Sequence, residues 1–324
     1  MVRRAFLAAA AIAALVVSLD SGAGTAAPGE SRSPATAAVA RAADASAPAL
    51  RLAFAGQRYR TPIFPGAAST TVTYGSAPDL VGGQPVDLRL DLYRPNGDSA
   101  TNRPLLVWVH GGGFAGGNRG QMAELAIAYA RLGYVTASIS YRLDPGNHCL
   151  QVQAGQYTGD ELTSERARCE RAMLGARDDA AAAIAFLRAN AATYGIDPGR
   201  VAVGGSSAGA ITALHVGQTL NTTGIPAPAA VRVSAVLAMS GCNYVQGSID
   251  PFDAPVAIAA SGSDPLVPFG CSIATADAAA AAGTPVLRNF YELESAHAQA
   301  LYAAHRDEID RGWRLFLIDH LELA

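Results

Sequence analysis

The residues of plainest chemical use in this 324-residue chain are Gly205-Ser206-Ser207-Ala208-Gly209. The short apolar run Val201–Val203 leads into them and a helical stretch leads out. In a Gly-x-Ser-x-Gly turn between strand and helix the chain bends too tightly for large flanking side chains, and the serine oxygen stands clear of the sheet. The helix N-terminus below favours the negative charge that develops there. Ser207 is therefore a candidate nucleophile, although an ordinary Gly/Ser turn would carry the same letters. His110-Gly111-Gly112-Gly113-Phe114 strengthens the reading, because it closes the apolar run Leu105–Val109. Glycines after a buried strand let the backbone approach a ligand and aim its N–H groups outward, as a developing oxyanion needs. The Gly112, Gly113 and Ala208 amides are the expected donors, and Phe114, chained to the same loop, is the expected pocket wall. A phosphate-cradling P-loop is excluded, since it needs a lysine and all 24 basic residues are arginine. The same absence removes Schiff-base and Ser-Lys mechanisms.

These residues need a frame, and the hydropathy pattern supplies one. Thr71–Tyr74 and Val86–Tyr93 have strand composition. Val86–Leu92 alternates apolar and polar strictly, as on an antiparallel edge with one wet face. Leu105–Val109, Val135–Ile139, Val201–Val203, Val231–Leu237 and Val256–Ala260 are apolar without alternation, which suits parallel strands covered on both faces. A last strand is expected at 286–291, and helical stretches at about 120–132, 172–192, 208–219, 272–282 and 298–319. The alternation implies an α/β fold: a mostly parallel, doubly wound sheet with helices on both faces and an antiparallel N-terminal edge.

With the two motifs in this order, the chain resembles a serine carboxylesterase of the α/β-hydrolase superfamily over roughly residues 70–320. His110–Phe114 is similar to the HGGG segment of its esterases and lipases, and Gly205–Gly209 to its nucleophile elbow. Tyr194-Gly195-Ile196-Asp197-Pro198-Gly199-Arg200-Val201 resembles the lead-in to that elbow, and Asp178-Asp179 the helix before it. The resemblance implies the α/β-hydrolase fold and the order serine, acid, histidine. The acid then follows a strand about 50–70 residues past the serine, which selects Asp264 after Val256–Ala260. A turn-capping role is the alternative for this Asp-Pro pair. Asp250 and Asp253 precede the strand, and Glu292 and Glu294 come too late. The histidine falls past the next strand, which selects His297. Of the others, His110 belongs to the glycine segment, His215 lies two turns into a helix, His148 sits in a polar insertion, and His305 and His320 lie on the last helix. Asp178 and Asp179 are expected to pair with an arginine, Arg177 or Arg142, and Tyr141-Arg142-Leu143 to pack or to border the pocket.

Composition bounds the rest. Half the residues are hydrophobic and 16% are charged, which excludes global disorder. A net charge of −3 and no run of five like charges argue against a nucleic-acid partner. Arg3 and Arg4 before the apolar stretch Phe6–Leu19, with small residues through Ala27, read as a secretory signal over 1–27. The stretch is shorter than the ~20 residues of a spanning helix, so no stable membrane insertion is expected after cleavage. Residues 28–50, rich in Ala, Ser and Pro, read as a linker, and 51–324 as the folded domain. Cys149, Cys169, Cys242 and Cys271 suggest two disulfides in an exported chain, with the sequence-near pairs Cys149–Cys169 and Cys242–Cys271 preferred among three connectivities. Residues 144–170 are polar and break the strand–helix alternation. They read as a stapled cap near the site mouth or as a decorative surface insertion.

The expected function is an exported serine carboxylic-ester hydrolase that works through an acyl-enzyme. Its substrate is a small-molecule or polymer ester, and neither cofactor nor metal is implied. An acyltransferase would share every one of these residues, and a non-catalytic binding protein of the same fold would show a broken triad.

Overall fold

The alternating run becomes strand β2 (Pro85–Pro95), with Leu88, Leu90 and Leu92 turned into the core. In the computed structural model the described residues are 56–221, 224–245 and 247–323, and all belong to one compact unit. The expected signal and linker lie outside them. β2 pairs antiparallel with the outer strand β1 (Ala67–Pro78) and with β4 (Val135–Ile139). The remaining strands are β3 (Arg103–Val109), β5 (Ile196–Ser206), β6 (Ala235–Met239), β7 (Val256–Ser261) and β8 (Val286–Tyr291). The eight-stranded sheet runs β1-β2-β4-β3-β5-β6-β7-β8, parallel from β4 onward. Strand order reverses at β3, whose neighbours are β4 and β5, and a doubly wound sheet opens its ligand crevice at such a point.

Helices cover both faces, because period-two side chains on buried strands are apolar on both sides. Leu105, Val107 and Val109 of β3 face α3 (Gly159–Ala189), α5 (Ala208–Gln218) and α6 (Phe269–Ala281). Leu106 and Trp108 face α1 (Ala123–Ala130), α7 (Gln299–Ala304) and α8 (Arg306–His320). Trp108 stacks on Trp313 of α8 at 6.4 Å and meets Tyr129 of α1 edge-on at 5.4 Å. Two short α-helices, α2 (His148–Gln153) and α4 (Ala191–Tyr194), and a 3-10 turn at Arg119–Met122 before α1 complete the order. No helix among the described residues is long and apolar enough to cross a membrane.

Three expected boundaries moved, each for a physical reason. Residues 144–170 are largely helical: they contain α2 and the first turns of α3, which starts 13 residues before the expected 172. No residue from Gly159 to Arg171 is buried, so this half of α3 has no apolar stripe to read. β6 begins at Ala235 rather than Val231. The Val231 and Arg232 amides both donate to the Pro228 carbonyl, and Arg188 ties down the carbonyls of Ala230 and Arg232, so a turn occupies the start of the apolar run. The terminal helical stretch breaks at His305 into α7 and α8.

Candidate active site

Ser207 links β5 to α5 with φ +56° and ψ −122°. Non-glycine residues rarely take a positive φ, and here the turn imposes it. A Cβ on Gly205 would overlap the Gly209 carbonyl, and one on Gly209 would overlap the Val109 carbonyl, so both flanks must be glycine. The Ser207 amide donates to the Met239 carbonyl at 2.8 Å, which pins the elbow to the end of β6.

Ser207 Oγ lies 2.8 Å from His297 Nε2, and His297 Nδ1 lies 2.9 and 2.8 Å from the two carboxylate oxygens of Asp264. The Asp264 side chain is 1% exposed. Burial pushes its carboxyl pKa up, but the hydrogen bond to His297 and the amides of Val267 and Leu266 outweigh burial, and the net shift is below the usual carboxylate value. Asp264 follows β7 and His297 follows β8. The histidine is fastened on both sides: Ser261 Oγ donates to the Ala296 carbonyl at 2.6 Å, and the Ala298 amide donates to Ser240 Oγ at 2.9 Å.

The glycine loop runs alongside. Gly112, Gly113 and Phe114 have φ of +121°, +62° and +63°. A Cβ on Gly111 would sit 3.2 Å from Ser207 Cβ, so this loop touches the elbow directly. Among the described residues neither the Gly112 nor the Gly113 amide meets a hydrogen-bond acceptor. Ala208, the first residue of α5, has an N–H that no preceding turn can accept. Gly111, Gly113 and Gly116 also stand in Gly-x-Gly-x-x-Gly spacing, but a dinucleotide fingerprint opens directly into a helix, and α1 begins only at Ala123.

Above Ser207 opens a cleft of about 730 Å³, the size of a drug-like ligand site. Phe114, Ile211 and Val267 line it from the sheet side, and Leu150, Val152 and Met173 from α2 and α3. Its wall includes the disulfide Cys149–Cys169, which joins α2 to α3. A second disulfide, Cys242–Cys271, ties the loop after β6 to α6. That loop brings Tyr244 and Val245 to the cleft.

Comparison with known proteins agrees with this fold. The BD-FAE family model, which describes α/β-hydrolase esterases, matches residues 90–151 and 166–243. Esterase 2 of Thermogutta terrifontis, phosphoramylated by tabun, superposes with a TM-score of 0.59 over 80% of this chain and 96% of its own, at 20% identity. Its propionate-bound form gives a TM-score of 0.57 at the same identity and coverage. The chain has the α/β-hydrolase fold. Its curated relatives include a phenmedipham hydrolase of Pseudarthrobacter oxydans, 33% identical over 48% of this chain and 27% of that one. A fumonisin B1 esterase of Sphingopyxis macrogoltabida is 27% identical over 60% of this chain and 38% of that one. The chain thus spans well under two thirds of the length of these relatives.

The structure brings Ser207, Asp264 and His297 together; Gly113, Phe114 and Ala208 line the cleft with Ser207, and Gly112 precedes Gly113 in the glycine loop. Asp179 holds the Arg142 guanidinium at 2.8 Å and its amide at 2.7 Å, and Asp178 pairs with Arg177 at 2.7 Å, so both carboxylates are structural. Tyr141 stacks on His110 at 4.3 Å and donates to the His110 carbonyl, which supports the strand end before the glycines. His215 lies two turns into α5 as expected, and it also lines the cleft: it is fully buried, and its Nε2 accepts the Tyr244 amide. Sequence reasoning missed Ser240 and Ser261; of the two readings of residues 144–170, the α2–α3 wall matches the stapled cap near the site mouth. Lone serines at strand ends carry no motif, whereas the wall was signalled by Cys149 and Cys169.

Proposed function

We propose that the protein is a serine carboxylic-ester hydrolase. The observation that carries the reading is the continuous line from Ser207 Oγ through the imidazole of His297 to the buried Asp264 carboxylate. His297 Nε2 takes the Ser207 proton as the oxygen attacks the ester carbonyl. Asp264, held ionised, fixes the tautomer that leaves Nε2 free and stabilises the imidazolium. The negative oxygen of the tetrahedral intermediate is met by the amides of Gly112, Gly113 and Ala208, aided by the N-terminus of α5. His297 then protonates the departing alcohol, and water repeats the sequence on the acyl-enzyme.

The reading includes export: residues 1–27 as signal, 28–50 as linker, and a hydrolase domain over 51–324. Two disulfides suit an oxidising compartment. The names of the relatives support small-molecule esters as the substrate class.

The test is turnover of p-nitrophenyl esters by wild type beside Ser207→Ala, with an organophosphonate as active-site label. Hydrolysis and labelling are expected in wild type, with kcat at least about a thousandfold lower in the variant. Folded wild type that neither turns over nor labels would sink the proposal. Transfer to an added alcohol that outruns hydrolysis would replace it with an acyltransferase.

A further inference from the structure

The oxyanion loop is built from residues that resist being held. Gly112, Gly113 and Phe114 all have positive φ, and glycine loses more conformational freedom on ordering than any other residue. Amides aimed at an oxyanion must nevertheless be fixed before the reaction begins. Part of the restraint is internal, since the Gly112 carbonyl accepts the amides of Ala115 and Gly116. The rest comes from the segment after β4. The Asp144 amide donates to the Phe114 carbonyl at 2.9 Å. Leu150 of α2 lies flat against Gly113: a Cβ there would sit 2.9 Å from Leu150 Cδ1 and 3.0 Å from its Cγ.

A six-residue helix is not stable alone. Three fasteners hold α2. Cys149, next to Leu150, is bonded to Cys169 of α3. His148 lies between two carboxylates, with Nδ1 facing Glu165 of α3 and Nε2 3.3 Å from Asp144. At its far end Gln153 Nε2 donates to the Leu266 carbonyl, two residues past Asp264. One short helix therefore touches the oxyanion loop at one end and the acid loop at the other.

We propose that Leu150, locked by the Cys149–Cys169 bond, is a positioning residue for the oxyanion hole. It acts through Gly113, so its contribution is to transition-state stabilisation and not to substrate binding. The proposal rests on the esterase reading above. A wall residue that merely touched substrate would move KM, whereas a brace for the donors moves kcat.

The experiment measures kcat and KM with p-nitrophenyl acetate, the shortest acyl chain, for wild type, Leu150→Ala, Leu150→Met and the double variant Cys149→Ser/Cys169→Ser. Leu150→Ala and the double serine variant are expected to lose about tenfold or more in kcat, with KM within about twofold. Leu150→Met, which keeps the volume, is expected to retain most of the activity. Circular dichroism and the unfolding midpoint check that each variant is folded. Should Leu150→Ala not fold, the double serine variant decides alone. A rise in KM at unchanged kcat, or wild-type kcat in the disulfide variant, overturns the proposal while the esterase reading stands. Wild type without Ser207-dependent turnover overturns both.

Discussion

At the scale of single residues, the site depends on serines that touch no substrate. His297 sits between Ala296 and Ala298, and each neighbour is tied to a strand end, one by Ser261 and one by Ser240. Replacing Ser240 by alanine leaves the buried Ala298 amide without an acceptor, at about 1–3 kcal/mol in stability. It also lets His297 drift from its 2.8 Å approach to Ser207, and small displacements of a base cost rate steeply. Ser240→Ala and Ser261→Ala are each expected to lower kcat about tenfold with KM nearly unchanged. Steady-state kinetics on p-nitrophenyl butyrate checks this, and an effect confined to KM would refute it. None of it was legible in the sequence. Ser207 was, because a glycine on each flank of a serine is a steric requirement that composition cannot hide. Asp264 and His297 were legible through the order serine, acid, histidine; an aspartate before a proline otherwise looks like any turn.

Elements determine what is rigid, and the junction of α5 with the loop after β6 depends on pH. Burial, and then the nearby positive charge of Arg177, lower the His215 pKa from 6.5 to about 4. Neutral His215 accepts the Tyr244 amide through Nε2. The unfolded chain takes up this proton near pH 6.5 and the folded chain only near 4, so the stability present above 6.5 drains away as pH falls between them. The full window is worth roughly 3 kcal/mol. In His215→Gln, which keeps an acceptor but cannot titrate, denaturant midpoints at pH 7 and 4.5 should lie closer together than in wild type. An unchanged difference would remove His215 as the source. The element pattern itself could be read wherever a segment is buried throughout, as in β3, β4 and β7, or on a period of two, as in β2. It could not be read in the first half of α3, which buries no residue fully, nor at Val231, where a turn held by Arg188 outcompetes the ladder.

For the whole molecule, one sheet edge gathers the chemistry. The glycine loop, the elbow, Asp264 and His297 follow β3, β5, β7 and β8, all at their C-terminal ends. Above them the cleft of about 730 Å³ would, under the proposed function, hold both halves of an ester. Acyl chains that outgrow it return their outer methylene groups to water, so kcat/KM on p-nitrophenyl esters should peak at short to middle lengths. Palmitate is expected no higher than the mid-length esters, since each methylene left in water forgoes the ~0.8 kcal/mol its burial would contribute. A profile that rises steadily to palmitate would mean a longer channel than the structure has. The exposed face of the first half of α3 adds a different consequence. Arg166 and Glu170 reach the cleft from a stretch that contributes nothing to the core. Surface substitutions of that kind usually change stability by no more than about 0.5 kcal/mol. Under the proposed function the molecule can therefore acquire a new substrate range there by drift, one neutral change at a time, while the sheet that carries Ser207 stays as it is.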